Sequence, residues 1–96
     1  MAATPEAELK KQVKQFLTDC GAYFFMPVQT GYGRTTVDFL CCIDGRFVAI
    51  ETKAKGKTPT PLQLIVLGQI REAGGLAIWT DNIEKIKHEF RREGLA

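Results

Sequence analysis

The sequence predicts an α/β domain: a mixed central β-sheet flanked by helices, in the chain order α-β-β-β-α-β-α. Three observations predict it. Apolar residues recur at helical spacing near both ends of the chain and again after residue 60. Two apolar, β-branched runs flank an Asp-Gly pair, the strongest short-range hairpin signal. A further short apolar run, LAIWT, lies between the second and third helical patterns. The 96 residues are one domain's worth, with hydrophobic residues at 45% and charged residues at 25%, which argues against disorder and collagen.

The first element starts at Thr4-Pro5, with Thr as N-cap and Pro at the first helical position. Leu9, Val13, Phe16, Leu17 and Cys20 then form an apolar stripe, and Gly21 ends the run. Residues 22–29, AYFFMPVQ, read as a strand with an edge or bulge at Pro27. Residues 30–36 form a loop with two glycines. Residues 37–43 and 46–53 are the arms of a hairpin closed by a type I′ turn at Asp44-Gly45. Residues 54–60 form a basic loop. Thr60-Pro61-Leu62-Gln63 opens a second helix, which ends at Gly74-Gly75. Residues 76–80 form the last strand. The final helix buries Ile83, Ile86 and Phe90 and shows its charged residues to water.

Composition narrows the function. No apolar stretch approaches the roughly 20 residues needed to span a bilayer. The start lacks the charged and apolar regions of a secretory signal, so a cytoplasmic location is expected. The net charge of +2 is too small to identify a nucleic-acid binder by itself. Cys20, Cys41 and Cys42 are a poor disulfide framework, and neighbours on a strand point to opposite faces. They read as buried reduced thiols. His88, the single histidine, sits among charged residues on a solvated helix face.

The hairpin register carries the chemistry. With a two-residue turn, Ile43 pairs with Arg46 and Cys42 with Phe47. Leu40 then pairs with Ala49, Asp38 with Glu51, and Thr36 with Lys53. Directly opposed residues have Cβ atoms roughly 5 Å apart. Two carboxylates at that distance repel by about 3 kcal/mol at an effective dielectric near 20. A divalent cation, a shared proton or the Lys53 ammonium should offset that repulsion. Carboxylate oxygens suit Mg²⁺, which takes one or two of them together with waters and phosphate oxygens. Lys53 would face the same spot and could orient water or stabilise charge on phosphorus; a surface ion cluster is the plainer alternative. Glu6 projects within the stripe of the first helix, where it meets a cation or complements the helix dipole. Gln63 either closes a capping box with Thr60 or reaches toward water or phosphate.

Asp38, then Glu51-Thr52-Lys53 on the next strand, then Gln63 opening a helix, resembles the PD-(D/E)XK nuclease superfamily, with its restriction-endonuclease-like core. The fuller run VDFLCCIDGRFVAIETKAKGKTPTPLQ is similar to the VRR-NUC branch, found as stand-alone phage and bacterial domains and in repair nucleases. The resemblance covers nearly the whole chain, so residues 1–96 are read as a single VRR-NUC-like domain. It includes Glu6 on the first helix, the glycine-rich GYGRTTVD and the late AGGLAIWT. Val37 stands where the family usually has Pro before the catalytic Asp.

The resemblance implies a metal-dependent endodeoxyribonuclease. Asp38, Glu51 and the Thr52 carbonyl would hold Mg²⁺ or Mn²⁺, and Glu6 would complete or tune the site. Lys53 would position or activate water, with Gln63 beside it. The family relationship also implies a homodimer resembling Holliday-junction resolvases, in the cytoplasm of a bacterial or phage-infected cell. Tyr32, Arg34, Lys55 and Lys57 are expected to contact branched or junction DNA; for the two lysines a solvated loop is the alternative. The competing functions are a non-catalytic branched-DNA-binding module, a structural or interaction domain, and a restriction-type or RNA-directed nuclease. The second helix carries Leu62, Leu64, Ile65, Val66, Leu67 and Ile70 and is apolar nearly all round. Either a second copy covers its outer side, or the last helix and first strand do.

Overall fold

The computed structural model describes residues 4–28 and 37–96. Its elements follow the predicted order: α1 (Pro5–Asp19), β1 (Tyr23–Phe25), β2 (Phe39–Ile43), β3 (Arg46–Thr52), α2 (Pro61–Glu72), β4 (Leu76–Thr80) and α3 (Ile83–Arg92). The sheet runs β1-β2-β3-β4, with the first three strands antiparallel and β4 parallel to β3. Among the described residues, no helix is long and apolar enough to cross a membrane.

Local chemistry sets the boundaries. The Thr4 hydroxyl accepts from the Ala7 amide, capping α1 above Pro5. Gly21, at φ 75°, carries the chain out of that helix. At the hairpin turn Asp44 and Gly45 take φ of 51° and 76°, the pair of positive values a type I′ turn requires. Asp tolerates this conformation and Gly adopts it freely. β1 is shorter than the predicted 22–29: it stops at Phe25, and Pro27, which has no N–H to give a ladder, lies beyond it.

The two sheet faces are covered unequally. On one, α1 and α3 close over Phe39, Cys41, Ile43, Val48, Ile50 and Ile78. Leu9, Val13 and Leu17 supply the α1 stripe; Ile86 and Phe90 supply that of α3, and Phe16 meets the Phe90 ring edge-on at 5.1 Å. On the other face, α2 sets Leu67 on Val37, Ala49 and Ala77, with Leu40, Val66, Ile70 and Trp79 around them. Leu67 is the fully buried residue of α2. Leu62, Leu64 and Ile65 stay exposed, as do Tyr23, Phe25 and Phe47 on the strands. The last helix packs on α1 and β4 and the first strand pairs with β2, so neither provides the cover considered for the outer side of α2.

The cysteines divide by face. Cys41 is buried, and burial followed by the neighbouring Cys42 pushes its thiol up to about 12. Cys20 is half-buried. Cys42 is exposed, which corrects the expectation of three buried thiols. The alternation that separates it from Cys41 turns it away from the main core.

Candidate active site

The hairpin register runs from Ile43↔Arg46 through Leu40↔Ala49 to Phe39↔Ile50. One further step sets Asp38 opposite Glu51. Regular alternation stops there, because β2 begins at Phe39 and Val37 is buried in the α2 cluster beside Leu40. Asp38 therefore sits at the open end of the hairpin, within reach of both β3 and α1.

Its carboxylate is held from two sides. Oδ2 accepts from the Thr52 amide at 2.9 Å and from the Thr52 hydroxyl at 2.6 Å. Oδ1 lies 3.6 Å from the Lys10 ammonium. Burial pushes the Asp38 pKa up, but hydrogen bonds from Glu51 and Thr52 and the charge of Lys10 outweigh it and hold the group below its usual value. Donors aimed at the charged form favour that form.

Glu51 is in the opposite situation. It is 3% exposed, and its Oε2 is sealed from solvent with no hydrogen-bond partner among the described residues. Burial, the hydrogen bond to Asp38 and the Asp38 charge push its pKa up to about 8, against the pull of Lys53 and Lys10. The pair thus coexists by dividing roles: Asp38 ionised, Glu51 protonated and bonded to it. A buried oxygen without a partner is costly, and a cation is one group that would satisfy it once the proton is lost.

The other predicted residues differ in how they relate to this pair. Lys53 follows β3, its amide donating to the Thr80 carbonyl at 2.9 Å, and its charge acts on Glu51. A strand residue's N–H and C=O point to the same side, so the Thr52 carbonyl faces the Asp38 segment as its amide does. Glu6 reaches the site through Lys10, 3.9 Å away, rather than as a third converging acid. Among the described residues no three His, Cys, Asp or Glu side chains cluster as a metal cage. Two carboxylates and a carbonyl still fit a hard ion that keeps several waters.

Gln63 closes the capping box: its Oε1 accepts from the Thr60 amide at 2.9 Å, and the Thr60 hydroxyl accepts from the Gln63 amide at 3.2 Å. Its side-chain oxygen is thereby committed to the start of α2. Lys55 and Lys57 are exposed on a loop shaped by two contacts. Gly56 N–H donates to Asp81 at 3.3 Å, and Lys57 N–H donates to the Ala54 carbonyl at 2.9 Å. Tyr32, Arg34 and the Thr36–Lys53 pairing lie outside the described residues. His88 is exposed, as expected.

Lys10 is the site residue that sequence reasoning missed. It stands four positions after Glu6, which the helical projection had already placed at the edge of the apolar stripe. That spacing was the available signal. The ammonium paired with Asp38 is that of Lys10, while Lys53, one of the three offsets considered, acts on Glu51. A separate open cleft of about 880 Å³ lies along β4 and α3. Several of its charged groups pair among themselves, Arg46 with Glu93 at 2.9 Å and Arg92 with Glu89 at 3.1 Å.

Comparison with known proteins agrees with this architecture. The fold matches a solved VRR_NUC domain with a TM-score of 0.79, across 93% of this chain and 97% of that one, at 19% identity. No family model and no curated protein matches the sequence. The chain thus has the VRR-NUC fold and is a nuclease-fold domain: a four-stranded mixed sheet with three helices, carrying an acid pair at the open end of its central hairpin.

Proposed function

We propose that the protein is a metal-dependent DNA endonuclease, selective for branched DNA such as four-way junctions. The observation that carries this reading is the buried Glu51 carboxyl group, whose Oε2 has no hydrogen-bond partner among the described residues while Asp38 lies beside it. Asp38, Glu51 and the Thr52 carbonyl would hold Mg²⁺ or Mn²⁺, with Glu6 at the margin. A divalent ion there supplies a more acidic bound water and neutralises charge on a phosphate.

The chain's own groups do the rest. Thr52 fixes Asp38 through two hydrogen bonds, so one oxygen is anchored and the other is turned outward. Glu51 must lose its proton to serve as a ligand. Lys53, just after β3, would orient the attacking water and stabilise charge developing on phosphorus. The Gln63 carboxamide NH₂ is left to reach toward water or phosphate while its oxygen caps α2. Lys55 and Lys57 would track the phosphate backbone, reading charge rather than base sequence, and Tyr32 and Arg34 would join them.

A homodimer fits the same reading. Leu62, Leu64 and Ile65 leave an exposed apolar surface on α2, the kind of feature that marks an interaction site. A two-fold pair would bury it and present two sites to a two-fold junction. Sedimentation of wild type as a dimer and of Ile65→Glu as a monomer is expected; a monomeric wild type ends this part of the reading.

Cleavage of four-way junction, flap, duplex and single-stranded DNA, with and without Mg²⁺ or Mn²⁺, tests the activity. Metal-dependent cutting that favours the junction and is lost in Asp38→Asn is expected. Junction binding without cutting under either metal would make the protein a binding module on a nuclease fold.

A further inference from the structure

Lys10 has no part in the site read from the sequence, yet its ammonium is the cation paired with Asp38. Its Nζ lies 3.6 Å from Asp38 Oδ1 and 3.9 Å from Glu6 Oε1. Both distances exceed the roughly 2.7–2.9 Å of a charge-assisted hydrogen bond, so the group neutralises without being locked. The oxygen it faces is the one Thr52 leaves free, because Oδ2 already accepts from the Thr52 amide and hydroxyl. Glu51 Oε2 has no donor among the described residues even with this ammonium nearby. Lys10 therefore balances charge at the site without satisfying the buried oxygen.

We propose that Lys10 is a resident counter-ion that guards the divalent-cation seat, and that a metal ion binds Asp38 and Glu51 only as the Lys10 ammonium swings aside. The proposal rests on the reading of those two acids as metal ligands. Three features support it. A divalent ion at Asp38 Oδ1 and an ammonium 3.6 Å from the same oxygen repel each other. The Lys10 side chain is about one-third exposed on a flexible four-carbon stem, so it moves at little cost. Glu6, one helical turn earlier, offers the displaced ammonium a second partner in the favourable Glu-to-Lys order. Glu6 thus receives the counter-ion rather than the metal. The consequence is a site whose metal affinity is held down by its own helix.

The test is a calorimetric titration of the full chain with Mn²⁺, comparing wild type, Lys10→Gln, Lys10→Met and Lys10→Arg. The expected result is Mn²⁺ affinity raised roughly tenfold in Lys10→Gln and Lys10→Met, and unchanged within about twofold in Lys10→Arg, which keeps the charge. The rise in melting temperature on adding Mn²⁺ should also be larger in the two neutral variants. Far-UV circular dichroism checks that α1 forms in each. Neutral variants that bind Mn²⁺ no tighter than wild type overturn the proposal. So does a loss of DNA binding with metal affinity unchanged, which would make Lys10 a phosphate contact. If the Lys10 effect is seen but wild type cuts no DNA, the nuclease reading fails and this one stands. If wild type cuts DNA but the neutral variants leave metal affinity unmoved, this one fails alone. If neither wild type nor Lys10→Gln binds Mn²⁺, both fall.

Discussion

At the turn end of the β2–β3 hairpin, Asp44 and Gly45 adopt positive φ angles, Ile43 pairs with Arg46, and Arg46 reaches Glu93 at 2.9 Å. At the open end, Asp38 lies beside Glu51, whose Oε2 is buried without a hydrogen-bond partner among the described residues. The first end relieves the backbone and pairs its charges. The second brings two acids together in a buried setting, where one keeps its proton and its oxygens are satisfied only in part. One strand pairing thus builds both a stable anchor and a polar defect, and the anchor is what holds the defect in place. A site of this kind is maintained by the rest of the fold rather than by its own contacts.

The sharpest way to break the comparison is at Glu51. Replacing Glu51 by Ala should lower metal-dependent cleavage by ~10³-fold or more, since the metal contributes several kcal/mol to such a reaction. Binding of junction DNA should persist. Melting of the metal-free chain should change little or rise, because an unsatisfied buried oxygen is removed. Equal losses of activity and stability would show Glu51 to be part of the scaffold.

Next comes pH. The folded pKa of Glu51, about 8, lies above its ordinary value of 4.5. Between those values the unfolded chain has released the proton that the folded chain keeps. Metal-free stability should therefore fall as pH rises from about 5 to 8 while this group titrates. Asp38 works the other way: its lowered pKa contributes stability present above its ordinary value of 3.8 and lost as pH falls below that value. Urea melts at a series of pH values in chelator would check both signs, and Glu51→Gln should flatten the upper slope.

The turn end should respond in stability alone. At Gly45, φ is 76° with open space where a Cβ would stand, so Gly45→Ala meets backbone strain and no clash. A loss of about 1–2 kcal/mol is expected, with cleavage per folded molecule unchanged. A large drop in activity would mean that turn geometry reaches the acids directly.

The smallest effect is expected at Gln63. Loss of its half of the capping box in Gln63→Ala should lower stability by about 0.5–1 kcal/mol. Cleavage measured well below the melting transition separates its roles. A reduction beyond about tenfold would place its carboxamide in the reaction, and no reduction would leave it a cap.

Much of this was legible in the chain. Asp-Gly between two apolar runs fixes a two-residue turn, and a turn of that length fixes which residues oppose each other out to Phe39 and Ile50. Thr4-Pro5, Thr60-x-x-Gln63 and the glycines after the helices are local signals, because caps and left-handed residues act within a few positions. Those signals placed every element in order and brought Asp38 to Glu51.

Three things were decided only by tertiary structure. Lys10 meets Asp38 because α1 crosses the open end of the hairpin, and that crossing follows from how the Leu9-Val13-Leu17 stripe seats on the sheet. Glu51 is sealed with one oxygen unmatched because elements distant in sequence close over it. The outer side of α2 is left bare because α3 lies against α1. Local backbone rules determine which residues share an element and a register. The partners a side chain meets across elements depend on packing between segments far apart in the chain, and no spacing within one segment encodes them.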